Sequence, residues 1–119
     1  STWSFHENDM VAIGSNEKDM VVASNELRKS QGGIIVVKNG KTLAFMPLAV
    51  AGIISSKPIE TVSNQFSKIN HTLSDHGGVF KKPHLVPVFL PFLALPEIRI
   101  IYSGIVDVKK REFIPSIIS

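Results

Sequence analysis

Residues 30–53 read Ser-Gln-Gly-Gly-Ile-Ile-Val-Val-Lys-Asn-Gly-Lys-Thr-Leu-Ala-Phe-Met-Pro-Leu-Ala-Val-Ala-Gly-Ile, and this stretch decides the fold. Gly32-Gly33 is a helix stop, because glycine accepts the left-handed backbone that closes a helix. Ile34 to Lys38 is rich in β-branched residues and has strong strand character. Asn39-Gly40 follows, two residues that reach positive φ at low cost, as the type I′ hairpin turn requires. Thr42 to Met46 returns as the partner strand, and Pro47 stops it. The spacing predicts a β-hairpin over residues 34–46, which the rest of the chain has to cover.

On the N-terminal side, Gly32 closes a helix that Ser15 and Asn16 are suited to cap. Glu17 and Asp19 set negative charge in its first turn, and Arg28 and Lys29 set positive charge in its last, as the helix dipole favours. Met20, Ala23 and Leu27 recur at i, i+3 and i+7 and form one buried stripe. Before it, Met10 to Ile13 is apolar and ends at Gly14, which predicts a short strand. A strand, a helix and a strand of this length read as a right-handed parallel crossover leading into Ile34.

On the C-terminal side, Leu48 to Ile54 is apolar and interrupted by glycine; a buried helical turn and an irregular crossing segment both fit it. Ser55, Ser56 and Pro58 announce a helix, proline being tolerated in a first turn. Ile59, Val62, Phe66, Ile69 and Leu73 make its apolar stripe, opposite Glu60, Asn64, Ser67, Lys68 and Asn70, and Gly77-Gly78 ends it. Prolines at 83, 87, 91 and 96 argue against helix and for extended chain over residues 85–95. Glu97 to Tyr102 alternates as a half-buried strand does. Ser103-Gly104 turns, and Ile105 to Val108 and Glu112 to Ile114 are short and apolar. The class expected is mixed α/β (α+β): a two-layer sandwich of a mixed β-sheet with two main amphipathic helices. Residues 1–119 read as a single domain. Trp3 and Phe5, set in a polar opening without periodicity, suggest a piece of a longer chain.

At 119 residues the chain is large enough to bury roughly two-thirds of its unfolded surface without staples. It is 44% hydrophobic, yet no apolar run approaches the ~18 residues of a membrane span; the longest, Leu85 to Leu95, is broken by Pro87 and Pro91. The absence of cysteine excludes disulfides and thiolate metal sites and fits a reducing, cytoplasmic setting. Ser1 to Asp9 lacks the basic start and apolar centre of a signal peptide. The formal charge is +3, and its basic residues are dispersed. Lys109-Lys110-Arg111 runs straight into Glu112 and reads as a solvated turn, so no nucleic-acid surface is expected.

Few residues offer chemistry. His71 and Asp75 stand at i, i+4, with His76 and His84 following, a pattern that can begin a metal site. The same residues suit the polar end of a helix, where the dipole alone favours histidine. His6-Glu7-Asn8-Asp9 is the densest polar cluster; it has the residue types for acid–base work, and equally those of a solvated terminus. Gly14-Ser15-Asn16 opens a helix after a strand, but lacks the glycine pattern or P-loop lysine of a phosphate site. Ser24 and Ser103 have no nucleophile-elbow context. No catalytic residue and no metal ligand is assigned.

Taken in order, the segments resemble the C-terminal domain of bacterial and archaeal adenine deaminases of the amidohydrolase superfamily. The stretches that carry the resemblance are Gly14-Ser15-Asn16 with Asp19-Met20 and Asn25-Glu26-Leu27, then Gly32-Gly33 with Val36-Val37, Asn39-Gly40-Lys41, and Pro47-Leu48 leading to Ala51-Gly52-Ile53. Pro58, Phe92-Leu-Ala-Leu-Pro96, and Gly104-Ile-Val-Asp-Val108 before Phe113 complete them. The resemblance implies a longer parent, in which a metal-dependent barrel, holding manganese or iron, precedes this domain. There a metal-activated hydroxide attacks C6 of adenine, giving hypoxanthine and ammonia. It implies that the present residues bind no cofactor, are inactive alone, pack beside that barrel and line the mouth of its site, with a homo-oligomer as one arrangement.

One departure stands out. Where the family carries a His-Asp-Ser-His-Asn stretch expected to face the active site, this chain has Phe5-His6-Glu7-Asn8-Asp9. Phe5 and Asn8 replace the two histidines, and His6 falls at the aspartate. No family role carries over to these positions; His6, Glu7 and Asn8 stand as substrate-proximal candidates by place alone. The alternative reading is a stand-alone α/β module for ligand binding or oligomerisation, without catalytic activity.

Overall fold

The computed structural model describes residues 1–4 and 9–115. Helix α1 (Glu17–Lys29) leads into strand β1 (Gly33–Lys38), which turns back through β2 (Lys41–Pro47). Helix α2 (Ile59–Asp75) follows, then a single 3₁₀ turn (Pro83–Leu85), a short α3 (Val86–Phe89), and strands β3 (Ile98–Ile101), β4 (Gly104–Asp107) and β5 (Glu112–Ile114). The result is the mixed α+β fold that the sequence implies.

The hairpin forms where the turn chemistry sets it. Asn39 and Gly40 take φ of 52° and 71°, and Lys38 pairs with Lys41 across them. The register is antiparallel throughout, with one irregularity between Val36 and Val37 where Leu43 is the extra residue of β2. One face of the ribbon carries Ile34, Ala44 and Met46, which bury with Leu48 and Ile69 to make the core. Trp3, Val62, Phe66 and Leu73 close around it, so α2 lays its apolar stripe on the hairpin. Ile59, the first member of that stripe, stays 73% exposed in the first turn of α2.

Both long helices end in the same way. In α1 the Gly32 amide donates to the Leu27 carbonyl at 2.9 Å, and the left-handed position is Gln31, at φ 62°, one residue before the glycine expected there. In α2 the Gly78 amide donates to the Leu73 carbonyl at 2.8 Å, with Gly77 left-handed. Each is a Schellman closure that satisfies carbonyls the helix would otherwise leave open. At its start, α1 is capped by Asn16, whose side chain accepts from the Lys18 amide at 3.0 Å.

A carboxylate ties α1 to the hairpin. Asp19 accepts from the amides of Asn39 at 2.9 Å and Gly40 at 2.7 Å, so two turn N–H groups that would face water end on one side chain. Asp19→Ala is expected to destabilise the fold by about 1–2 kcal/mol, since it removes two charge-assisted bonds at a partly exposed site. Urea unfolding measures this; an unchanged midpoint would show that water replaces the carboxylate without loss.

Two expectations need correction, and one open reading is decided. Met10–Ile13 forms no strand, so the parallel crossover into β1 is absent; the sheets are two separate antiparallel ones, β1-β2 and β3-β4-β5. Residues 83–89 are not extended, because Pro83 and Pro87 each lie in the first turn of a short helical piece, where the missing N–H is not needed. Residues 48–54 form the irregular crossing, held by the isolated pair Val50 and Ile54. The β3-β4-β5 sheet has no buried residue on any strand.

Candidate functional site

The candidates His6, Glu7 and Asn8, with Phe5 before them, lie outside the described residues. The chain before them is held by the hairpin, and the chain after them is paired with Ser1. Thr2 donates its amide to the Gly33 carbonyl at 2.9 Å, and its hydroxyl donates to the Gly52 carbonyl at 2.6 Å while accepting from the Gly33 amide at 2.8 Å. On the far side, the Val11 amide donates to the Ser1 carbonyl at 2.9 Å. Ser4 is buried and Asp9 is half-buried.

Trp3 anchors this opening in an aromatic cluster. Its ring meets Phe66 edge-on at 5.3 Å between centroids and stacks on His84 at 6.0 Å, and Phe66 meets His84 edge-on at 5.3 Å. His84 is only 8% exposed, with Nδ1 2.5 Å from the Asn70 side-chain oxygen. Asn70 belongs to the polar face of α2 by sequence, but its side chain turns to this buried partner. Burial pushes the His84 pKa below its ordinary 6.5, and the positive charge of Lys82 lowers it further. With one ring nitrogen committed to Asn70, and no carboxylate partner among the described residues, His84 serves as a neutral packing residue. The sequence mentions it only as one more histidine; the signal was its setting, Pro83-His-Leu-Val-Pro87, where every neighbour is apolar.

A pH dependence follows. His84 is held neutral in the fold and takes up a proton more readily when unfolded, so its contribution is complete above pH 6.5 and falls away as pH drops from there toward the lowered folded value. Chemical denaturation across pH 5–7 should show stability rising with pH, and His84→Gln should flatten that slope. An equal slope in the variant would assign the effect elsewhere.

The other described histidines do not gather. His71 and His76 are exposed, and the His76 ring Nδ1 lies 2.8 Å from the Thr72 carbonyl, on its own helix end. Among the described residues no three histidine, aspartate or glutamate side chains come together in a way that would hold a metal ion. Lys109 to Arg111 form the turn between β4 and β5, where Lys109 pairs with Glu97 and Lys110 with Asp107 at 3.6 Å. No helix among the described residues is long and apolar enough to cross a membrane.

A groove of about 690 Å³ opens between Met10–Gly14, the α3 turn at Val86 and Leu90, and β3 at Ile100. A second, of about 480 Å³, runs between Val11–Gly14, α1 and the outer edge of β1. Next to them the β3-β4-β5 sheet leaves Ile98, Ile100 and Phe113 exposed, and Tyr102 at its tip is 85% exposed. Uncovered apolar side chains on a sheet mark a surface meant to be covered.

Comparison with known proteins gives a consistent result. A family model described as the adenine deaminase C-terminal domain matches residues 1–112. An adenine deaminase of Cenarchaeum symbiosum (strain A) is 54% identical over 117 residues, which is 98% of this chain and 19% of that protein. Adenine deaminases of Brucella abortus (strain 2308), at 38% identity, and Clostridium botulinum (strain ATCC 19397 / Type A), at 32%, align over 96% of the chain and 20% and 19% of their own lengths. The chain thus spans about a fifth of the curated relatives it matches. No solved structure matches it.

Proposed function

The chain belongs to the adenine deaminase C-terminal domain family, and we propose that it serves as the accessory domain of a longer, metal-dependent adenine deaminase. The observation that carries this reading is the alignment of nearly the whole chain, at 54% identity, with only a fifth of an adenine deaminase. In the parent, the remaining four-fifths would form the catalytic barrel, hold manganese or iron, and convert adenine and water to hypoxanthine and ammonia. We assign the binding of that metal to the rest of the longer chain, where the resemblance puts the barrel.

Residues 1–119 act as one domain whose task is to cover and position. The exposed apolar residues of β3, Ile98 and Ile100, lie on one side of the sheet and supply a face for packing beside the barrel. His6, Glu7 and Asn8 are the residues we assign to the mouth of the active site. The support is that Thr2, before the stretch, is fastened to the hairpin at Gly33, and that Val11, after it, is bonded to Ser1. The cytoplasm is the setting we assign, since the chain has no cysteine to gain from an oxidising one.

The test is ammonia release from adenine by the full-length chain with manganese supplied. Turnover is expected; a folded, metal-loaded chain without turnover would overturn the adenine assignment and leave the family membership standing. In the active enzyme, Glu7→Ala should change kcat/KM for adenine, and unchanged kinetics would remove the 6–8 stretch from the site.

A further inference from the structure

We infer that the residues immediately before Ser1 in the longer chain form a β-strand in the groove between Val11–Ile13 and the free edge of β1, as an inner strand of a four-stranded antiparallel sheet. This rests on the reading that the chain is the C-terminal part of a longer one.

The hydrogen bonds at Ser1 and Thr2 are those of a strand paired on both sides. Ser1 and Val11 exchange both backbone bonds: the Ser1 nitrogen donates to the Val11 carbonyl at 2.9 Å, and the Val11 amide donates to the Ser1 carbonyl at 2.9 Å. That is a hydrogen-bonded antiparallel pair. Thr2 faces the opposite way, its amide on the Gly33 carbonyl and its hydroxyl accepting from the Gly33 amide. One residue bonds to one neighbour and the next to the other, as the two-residue alternation of a strand requires.

Extending that geometry backwards from Ser1 leads into the groove of about 480 Å³, which Ser1 lines at one end and Lys38 at the other. The antiparallel register sets the residue before Ser1 opposite Ile35, the one before it opposite Ile13, and the next opposite Val37. The partners it needs are waiting. The Gly32 carbonyl accepts from the Leu48 amide beside β2, so by alternation Ile34 and Val36 also face β2, and the backbone groups of Ile35 and Val37 point into the groove. Among the described residues no backbone group bonds to Ile35 or Val37 from that side. Such an open edge is a template for another strand.

Met10–Ile13 is the other rim. Its sequence reads as a strand, yet among the described residues it has no backbone partner beyond Val11, with Met10 43% and Ile13 59% exposed. It lacks only the neighbour that would complete its ladder. The slot is apolar on its flanks, with Met20 and Ala23 of α1 and Leu73 and Val79 among its lining residues, so the incoming strand should be apolar on both faces. From Gly33 to Val37 is roughly 14 Å at about 3.4 Å per residue, and three or four residues before Ser1 fill it. Relatives of five times this length, and the C-terminal place that the family's description gives the domain, supply the chain to do so.

Amide hydrogen exchange on the full-length chain tests this. The amides of Ile35, Val37 and Ile13 should exchange at least about a hundredfold more slowly than open-chain amides, as paired inner-strand groups do. Free exchange at Ile35 and Val37, with Ile34 and Val36 protected by β2, would overturn the inference. So would protection that disappears on dilution, since a second copy would then be the partner. Adenine turnover measured on the same sample separates the two readings. An active chain with unprotected amides sinks the strand alone, and an inactive chain with protected amides sinks the adenine assignment alone.

Discussion

Gly32→Ala is expected to destabilise the fold by more than about 3 kcal/mol, enough to remove much of the stability of a domain this size. Two costs add. Gly32 has φ of 126°, a backbone that a side chain resists wherever it occurs. A Cβ there would also fall on the Cα of Gly52 and within 2.7 Å of the Thr2 hydroxyl oxygen. Backbone cannot swing aside as a flexible side chain can, so the 51–53 crossing and the Thr2 anchor would both have to move. Gly40→Ala is the control: its φ is 71° and nothing lies within 4 Å of the added carbon, so only the left-handed penalty of about 1 kcal/mol remains. Urea midpoints of the two variants separate crowding from backbone strain. Equal losses would mean that the junction at Gly32 is slack.

Ile69→Ala should cost about 3 kcal/mol, within the usual range for truncating a fully buried aliphatic side chain. Ile69 has no exposed surface and belongs to the core cluster with Ile34, Ala44, Met46 and Leu48. It is the buried residue of α2, so it carries the contact between the helix and the ribbon. The hole would open between backbone elements that hydrogen bonds hold apart, which limits collapse and retains the cavity penalty. Ile59→Ala, on the same stripe but 73% exposed, should change stability by less than about 0.5 kcal/mol. Thermal or urea unfolding of the pair measures the contrast, and comparable losses would mean that α2 sits deeper on its first turn than the structure has it.

Much of the fold was legible because local chemistry decides it. Asn39-Gly40 fixed the turn of the hairpin, the three-and-four spacing from Val62 to Leu73 fixed the buried face of α2, and Gly77-Gly78 fixed its end. The prolines misled because a fixed φ and a missing N–H suit both extended chain and the first turn of a helix. Which one forms depends on whether the following residues find helical partners, and Leu90 does, through its bond to the Val86 carbonyl at 3.0 Å. The candidate site was less legible. Composition marked the polar cluster at 6–9 but could not reveal that Thr2, before it, is fastened to Gly33 and Gly52, since those bonds join positions 31 and 50 residues apart in the chain.

By itself, the sequence determined the elements whose stability is local: the turn, the helix stripes and stops, and the ordered set of short matches that marks the family. Only the tertiary structure decided how the backbone ladders are shared. Met10–Ile13 has the composition of a strand and is not one here, because a strand exists only when a neighbour accepts its hydrogen bonds, and pattern along one segment carries no record of that neighbour. The same reason leaves Ile35 and Val37 open on a strand that the sequence reads as complete.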